Sequence, residues 1–299
     1  MNMNYYSLIK TPINKLGKNN SFNLTSLTEN KRLYDKVKHK IFKIIPNHTN
    51  SDFQIKVLSI IHHIIVDIYK ILKILIEIEI CKKKKLQIIY DQNHSPSLEQ
   101  IINPKIYIEN KINLNINFKD HLRKFKSICD LSLSKKLFNY HNNSILLDEY
   151  IVKNKINFFF LRPEIFVREF SVDRELEDYV ISECVKIFND IFNEVKINHK
   201  LKNNCQNLLI RILKVRVKKI SNIYKTFERF NFKKFPGDNL IGGTPQEIGR
   251  ILNYFYAKNN KKVIRFAHGG DRVFFDDVLW EFSELVYSNQ YFVHGKKGK

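Results

Sequence analysis

The distribution of glycine is the sequence feature that most constrains where this chain can bind a ligand. Only one of the nine glycines, Gly17, precedes Pro236. Glycine is placed where the backbone needs a positive φ angle or where another group must approach it closely. The segment after Pro236 is therefore the predicted ligand-binding part of the chain, and the rest is predicted to be mainly scaffold.

A helix is predicted to begin within the run Gly242-Gly243-Thr244-Pro245-Gln246-Glu247. Thr244 suits the N-cap, Pro245 the first helical position and Glu247 the third, which together form a capping box. The apolar residues that follow recur at helical spacing: Ile248, Ile251, Leu252, Phe255 and Tyr256. A helix start after a glycine pair offers backbone N–H groups to a phosphate or carboxylate. The run is neither a Walker loop nor a dinucleotide-binding GxGxxG fingerprint.

Two apolar runs after this helix, 263–267 and 291–293, predict strands, with a second helix capped by Asp276 or Asp277 between them. Each predicted strand is followed by a His-Gly pair. Right-handed crossovers make the strands of such a βαβαβ run parallel, so their following loops share one edge of the sheet. Ligands of open α/β folds bind at that edge. We therefore expect an α/β protein with a Rossmann-like parallel sheet.

Candidate catalytic residues lie in the loop after the first of these strands. His268 suits a general base or a donor to developing negative charge, and Asp271 could orient it. Arg265 or Arg272 could pair with an anionic group. The alternative is a tight turn in which His268 bonds only to the backbone. The candidate binding residues are Gly242, Gly243, Thr244, Arg265, Gly269, Gly270, Arg272 and His294.

The first half of the chain predicts an arm and a buried helix. Residues 1–30 are polar and without a sustained period, which predicts a loosely ordered arm before a domain spanning 31–299. The apolar run 52–80 carries one polar stripe, so it predicts a helix buried in protein rather than a membrane span. The stripe consists of His63, Asp67, Lys70, Lys73 and Glu77. Residues 86–90 and 155–161 predict short buried strands.

Two amphipathic patterns predict a helical insertion over about 170–235. The first has apolar residues at Leu176, Val180, Cys184, Ile187, Phe188, Ile191, Phe192 and Val195; the second has them at Leu209, Ile212, Leu213, Ile220, Ile223, Tyr224 and Phe227. The second also carries Arg211, Lys214, Arg216, Lys218, Lys219 and Lys225 against one carboxylate, Glu228. This basic helix, 211–225, is a candidate contact for a membrane surface or a polyanion. A solvated helix face is the alternative, because no aromatic residues for base stacking accompany the charges.

The net charge of +21 lies mostly before residue 237. It is either a polyanion-binding property or a consequence of a composition rich in Lys, Asn and Ile. The four cysteines, Cys81, Cys129, Cys184 and Cys205, form no pair or cluster at zinc-binding spacing. Reduced thiols, no metal site and no cofactor are therefore expected. The N-terminus lacks the pattern of a signal peptide, which predicts a cytoplasmic protein.

The stretch from Gly242 to Gly295 resembles the middle of bacterial transferases for surface-carbohydrate biosynthesis. Those proteins are similar to glycosyltransferases of the GT-B fold, in which two Rossmann-like domains face each other across a cleft. The matching features are the helix after a glycine pair, the strand leading to His268-Gly269-Gly270, the acidic residues before the second helix, and the strand ending in His294-Gly295. The resemblance implies transfer of a sugar from a nucleotide-activated donor to a glycan acceptor without an obligatory metal, with His268 on the acceptor side.

A GT-B enzyme needs a second Rossmann domain to hold the nucleotide, and the resembling stretch ends near Lys299. The resemblance therefore implies the N-terminal, acceptor-side half of such an enzyme. Three alternatives stay open: a fragment, half of a split enzyme that acts with a separate donor-binding domain, or a domain that binds a ligand without catalysing transfer. Its expected location is the cytoplasm, at the inner face of the membrane. Two other classes of function stay open: a basic nucleic-acid-binding protein, and a noncatalytic interaction domain.

Overall fold

The computed structural model describes residues 20–46, 51–83, 96–107, 138–141, 153, 158–160, 163–194, 201–232, 238–242, 247–266 and 287–292. The chain divides into two compact units. The helical unit comprises residues 1–48, 61–109 and 174–217, and the sheet unit comprises residues 49–60, 110–173 and 218–299.

Among the described residues, five helices contribute to the helical unit: α1 (Asn20–Phe42), α2 (Ser51–Lys83), α3 (Leu98–Ile102), α4 (Arg174–Glu194) and α5 (Lys202–Glu228). A 3-10 turn, Pro104–Ile106, follows α3. Helix α2 belongs to this unit from Ile61 onward, and α5 belongs to it as far as Val217. The two helices predicted within 170–235 are confirmed as α4 and α5, and the residues of their predicted apolar faces are buried, apart from Val195, which lies outside the described residues.

Helix α1 corrects the predicted N-terminal arm, because residues 20–30 are helical. Leu33, Val37 and Ile41 are buried at helical spacing in the second half of α1, which packs against α4. Once packing stabilises a first turn, adding further helical residues costs little, so the helix extends back through a polar sequence. Residues 1–19 of the predicted arm lie outside the described residues.

Helix α2 confirms the buried helix predicted for residues 52–80. Most of its described apolar side chains are buried, and Asp67 and Lys73 of the polar stripe are buried as well. Asp67 Oδ2 accepts a hydrogen bond from Arg216 Nε at 2.5 Å. A buried carboxylate needs such a partner to offset its lost hydration. None of the helices among the described residues has the length and apolar character needed to cross a membrane.

In the part of the sheet unit that the structure describes, five strands form a parallel sheet: β1 (Phe138–His141), β2 (Phe158–Phe160), β3 (Asn239–Gly242), β4 (Lys262–Phe266) and β5 (Gln290–Phe292). Strands β2, β4 and β5 confirm three strand predictions, for 155–161, 263–267 and 291–293 respectively. The strand predicted at 86–90 lies outside the described residues.

The described strands run in the order β2-β1-β3-β4-β5, and every neighbouring pair is parallel. This confirms the expected α/β class with a parallel sheet. The order 2-1-3-4-5 is one of the two common orders of doubly wound sheets and differs from the 3-2-1-4-5-6 order of a Rossmann sheet. The strand order reverses between β1 and β3, and local sequence patterns do not reveal such an order.

Helix α6 (Glu247–Lys258) connects β3 to β4. The apolar residues predicted for its buried face, from Ile248 to Tyr256, are all buried. The helix ends as predicted at Asn259-Asn260. Asn260 has a positive φ of 58°, the N–H of Lys261 donates to the carbonyl of Tyr256 at 2.9 Å, and the N–H of Asn260 donates to that of Ala257 at 3.0 Å. This is a Schellman motif, in which asparagine tolerates the left-handed conformation.

An extended segment before α4, residues 167–173, is bound to the last turns of α5. The acceptors on α5 are buried side chains of Ser221, Asn222 and Thr226. The backbone N–H of Arg168 donates to Thr226 Oγ1 at 3.0 Å, that of Phe170 to Asn222 Oδ1 at 2.9 Å, and that of Asp173 to Ser221 Oγ at 3.2 Å. We call this arrangement the polar strap. It satisfies backbone donors that have no strand partner.

Candidate functional site

Gly242 and Arg265 meet at the carboxyl edge of the sheet. Because the strands are parallel, β3, β4 and β5 end on the same side. Gly242, the last residue of β3, pairs in register with Arg265 of β4, and Arg265 pairs with Tyr291 of β5. The structure therefore brings together two residues that the sequence predicted to bind ligand. Their role in binding stays a prediction.

Gly242 also borders the reversal of strand order. It pairs in register with His141, the last residue of β1. In doubly wound sheets this reversal opens a crevice outside the carboxyl ends of the strands, and ligands bind there. The sequence analysis did not predict the position of His141, because the residues next to it in the sequence do not indicate that β1 pairs with β3.

The remaining predicted site residues lie outside the described residues. These are the catalytic candidates His268 and Asp271, and the binding candidates Gly243, Thr244, Gly269, Gly270, Arg272 and His294. The predicted helix capped by Asp276 or Asp277 lies outside them as well. The roles of all these residues stay predictions.

Arg265 is fully buried although it lies one residue from the end of β4. Its Nη2 donates a hydrogen bond to Asn253 Oδ1 on α6. Burial lowers the pKa of Arg265 to about 9, so its guanidinium stays positively charged at neutral pH. The neighbouring position in the register is Gly242, which has no side chain and is itself buried.

A buried polar stripe runs along α6 through Glu247, Arg250 and Asn253. Glu247 forms an ion pair with Lys219 on α5. Arg250 Nη1 donates to the carbonyl of Ser59 at 2.9 Å, and burial lowers the pKa of Arg250 to about 10 despite the opposing charge of Glu247. Sequence reasoning missed this stripe. Its signal was a spacing of three between polar residues of a helix that is predicted to be mostly buried.

A second polar cluster centres on Asp52, in the first turn of α2. Asp52 Oδ1 accepts hydrogen bonds from the Tyr254 hydroxyl and, at 2.9 Å, from Lys258 Nζ. Both donors lie near the end of α6. Since α6 runs from the carboxyl end of β3 to the amino end of β4, its last turn lies toward the opposite edge of the sheet. This cluster therefore fastens α2 to α6 and is not part of the ligand edge.

The basic residues of the predicted helix 211–225 are less available to bind a polyanion or a membrane surface than the sequence indicated. Arg216 pairs with Asp67, Lys219 pairs with Glu247, and Lys225 Nζ donates to the carbonyl of Ser171 at 2.8 Å. Arg211 and Lys214 are exposed. At least three of the six predicted cationic residues thus form contacts within the units.

Within the described ranges, no group of three or more His, Cys, Asp and Glu residues is placed to hold a metal ion. The absence of a metal site stays a prediction for the whole chain. Comparison of the chain with protein-family models, with curated proteins and with solved structures gave no match. A functional assignment therefore depends on the geometry of the carboxyl edge and on the residues that the sequence places there.

Proposed function

We propose that the sheet unit is the acceptor-side domain of a transferase of surface-carbohydrate biosynthesis, which uses a nucleotide-activated sugar donor. The ligand binds outside the carboxyl ends of the strands. The observation that carries this proposal is the register pairing of Gly242 with Arg265 beside the reversal of strand order.

The shape of the edge supports ligand binding at this place. Gly242 ends β3 and lies between His141 and Arg265 in the register. A glycine there allows a ligand to approach the backbone of β3 closely. Open α/β sheets bind their ligands at this position because loops from strands on both sides of the reversal diverge and leave a crevice.

The charge of the edge supports an anionic ligand. Arg265 places a positive charge in the interior beneath the edge, where the effective dielectric is lower than in water. A phosphate group is attracted more strongly to a cation in such surroundings than to an exposed lysine. The diphosphate of an activated sugar has this chemistry.

Transfer at this edge requires a base and a stabilised leaving group. The acceptor hydroxyl attacks the anomeric carbon of the donor, the new glycosidic C–O bond forms, and the bond to the nucleoside diphosphate breaks with its electron pair. His268 would take the proton of the hydroxyl, oriented by Asp271. Arg265 and Arg272 would stabilise the charge on the departing diphosphate.

A binding experiment on the full chain tests the proposal. A panel of nucleotide sugars and inorganic pyrophosphate is titrated into the wild type by calorimetry, and at least one should bind. Arg265→Gln should weaken that binding at least tenfold. Arg168→Gln removes the same charge from an exposed position in the same unit and should change it less than twofold. Absence of binding to the whole panel would overturn the proposal.

His268→Ala tests the catalytic assignment separately. Once a bound donor is identified, this variant should bind it as the wild type does but should lose transfer to glycan acceptors. Wild-type turnover by His268→Ala would show that another group takes the proton. The polyanion-binding alternative is less well supported, because at least three of its six cations have partners within the chain.

A further inference from the structure

We propose that Phe266 and Phe292, an aromatic pair at the carboxyl edge of the sheet, form a stacking platform for a pyranose ring of the glycan acceptor. The carbohydrate class of this ligand rests on the proposed function. The inference concerns the acceptor, whereas the charge of the edge concerns the donor. It gives a role to two side chains that the sequence analysis placed only within predicted strands.

The two rings are stacked on each other at the ends of their strands. Phe266 and Phe292 are the last residues of β4 and β5, and they pair in register. Their ring centroids lie 4.7 Å apart, and their planes are 13° from parallel. Phe266 is buried, whereas 37% of Phe292 is exposed. A buried ring that stacks against an exposed one favours a single orientation for it, so the platform exists before a ligand binds.

Phe292 is exposed at a place where ligands bind. The other large apolar side chains that are exposed among the described residues are Ile102 and Ile106, which are aliphatic and belong to the helical unit. Exposure of an apolar side chain has no meaning by itself, because many occur on protein surfaces. Phe292 differs because it ends a strand of a parallel sheet, and open α/β folds bind ligands outside the carboxyl ends of their strands.

The chemistry of the platform suits a sugar. One face of a pyranose ring consists largely of C–H groups, and its hydroxyls lie around the rim. These C–H groups carry a small positive charge, and the face of an aromatic ring is negative, so the two faces attract each other. Gln290 is exposed on the same face of β5, two residues before Phe292. Its amide can donate to one sugar hydroxyl and accept from another.

The distance from the strand-order reversal suits an acceptor. Strand β5 is two strands away from β3, which is about 10 Å. If the diphosphate of the donor binds beside Gly242, the donor sugar would lie over β4, between the diphosphate and the ring on Phe292. That is the order of groups that transfer requires.

The sequence repeats one motif at both rings. Phe266-Ala267-His268-Gly269 begins at the end of β4, and Phe292-Val293-His294-Gly295 begins at the end of β5. Each ring therefore precedes a predicted site histidine by two residues. One of these histidines, His268, is the proposed base. A platform at the two rings is thus close in sequence to the group that would take the proton of the acceptor hydroxyl.

The test measures carbohydrate binding to the full chain, with the methyl glycosides of glucose, galactose and N-acetylglucosamine as probes. Saturation-transfer difference NMR gives the Kd, and thermal unfolding gives Tm. At least one glycoside should bind the wild type. Phe292→Leu keeps an apolar side chain but removes the ring, so it should raise this Kd about three- to tenfold with little change in Tm. Phe292→Tyr keeps the ring and should change the Kd less than about twofold.

Ile102→Ala is the matched control, because it truncates an exposed apolar side chain of the helical unit; it should change the Kd less than about twofold. Equal binding by Phe292→Leu and the wild type would overturn the inference, as would absence of binding to all three glycosides. Failure of Phe292→Leu to fold would also overturn it, since the ring would then have a structural role. If the wild type binds nucleotide sugars while Phe292→Leu binds glycosides normally, the proposed function stands and this inference alone fails. If the wild type binds neither nucleotide sugars nor glycosides, both fail.

Discussion

Asp52 and Tyr254 are joined by a hydrogen bond although they are 202 positions apart in the chain. The bond connects the first turn of α2 to the last turns of α6, within the sheet unit. Ser51 contributes to the same cluster, with its hydroxyl 3.1 Å from that of Tyr254, and the ring of Tyr287 packs edge-on against the Tyr254 ring. Long-range bonds of this kind hold helices in position around a sheet that local sequence alone does not specify.

Asp52 should make the stability of the chain sensitive to acid. Burial raises its pKa, but hydrogen bonds from Tyr254, Lys258 and Tyr224 outweigh this effect, and the pKa is lowered from 3.8 overall. A carboxyl with a lowered folded-state pKa contributes stability above its unfolded pKa and loses it as the pH falls through the folded value. We therefore expect urea stability to fall below about pH 4, and Asp52→Asn to reduce that dependence. An unchanged pH profile in Asp52→Asn would contradict this assignment.

The polar strap should contribute measurably to stability. Asn222→Leu removes the acceptor for the N–H of Phe170 and leaves this donor without its bond, which should destabilise the chain by about 1–3 kcal/mol. Thr226→Val removes the acceptor for Arg168 and should cost about 1 kcal/mol. Urea unfolding of the full chain measures both. Ser182→Ala, at an exposed position of α4, is the control and should have little effect.

Breaking the Arg216–Asp67 pair should strongly destabilise the helical unit. Arg216→Leu leaves the Asp67 carboxylate in a buried position, and the expected loss is about 3 kcal/mol. The double variant Asp67→Leu with Arg216→Leu should recover most of this loss, since neither member of this ion pair is then left buried without the other. Arg211→Leu changes an exposed residue of the same helix and should alter stability by less than about 0.5 kcal/mol. A double variant no more stable than Arg216→Leu would contradict this account.

Cys184 and Cys205 should be unreactive in the folded chain. Both are fully buried, and burial raises the pKa of Cys205 to about 12 and that of Cys184 further above its ordinary range. The thiolate, which is the reactive form, is therefore scarce at pH 8. Labelling with an alkylating reagent followed by peptide mapping should show neither residue modified until urea unfolds the chain. Rapid labelling of either thiol in the native state would show that its surroundings open.

Residues whose structure depends on short-range periodicity were predicted well from the sequence. The buried faces of α4 and α6, the end of α6 at Asn260 and the strand at β4 all follow from local spacing and capping chemistry. Gly242 and Arg265 lie at one edge of the sheet, in agreement with the prediction that the loops of the βαβαβ run share an edge, but their pairing in register was not predicted.

Features that depend on distant residues could not be predicted in this way. The start of α1 at Asn20 depends on packing against α4, which the polar sequence of residues 20–30 does not reveal. The strand order depends on which strand lies beside β1, and the partners of Asp52, Arg250 and Asn253 lie in other elements. The partners of Arg216, Lys219 and Lys225 also lie in other elements, so the sequence overestimated how many cations of the basic helix could bind a polyanion.

The strand order also bears on how the chain could be rearranged by engineering. Strands β2 and β3 both pair with β1, so the chain leaves the sheet on one side of β1 and returns on the other. Strands β2 and β3 lie about 10 Å apart, which is two strand spacings. Because they are parallel, the connection must also run from the carboxyl end of β2 back to the amino end of β3, which takes a crossover of about a dozen residues or more. The residues of α4 and of α5 up to Val217 belong to the helical unit and not to the sheet unit. A foreign domain that replaced them would therefore leave the pairing of the strands largely unchanged.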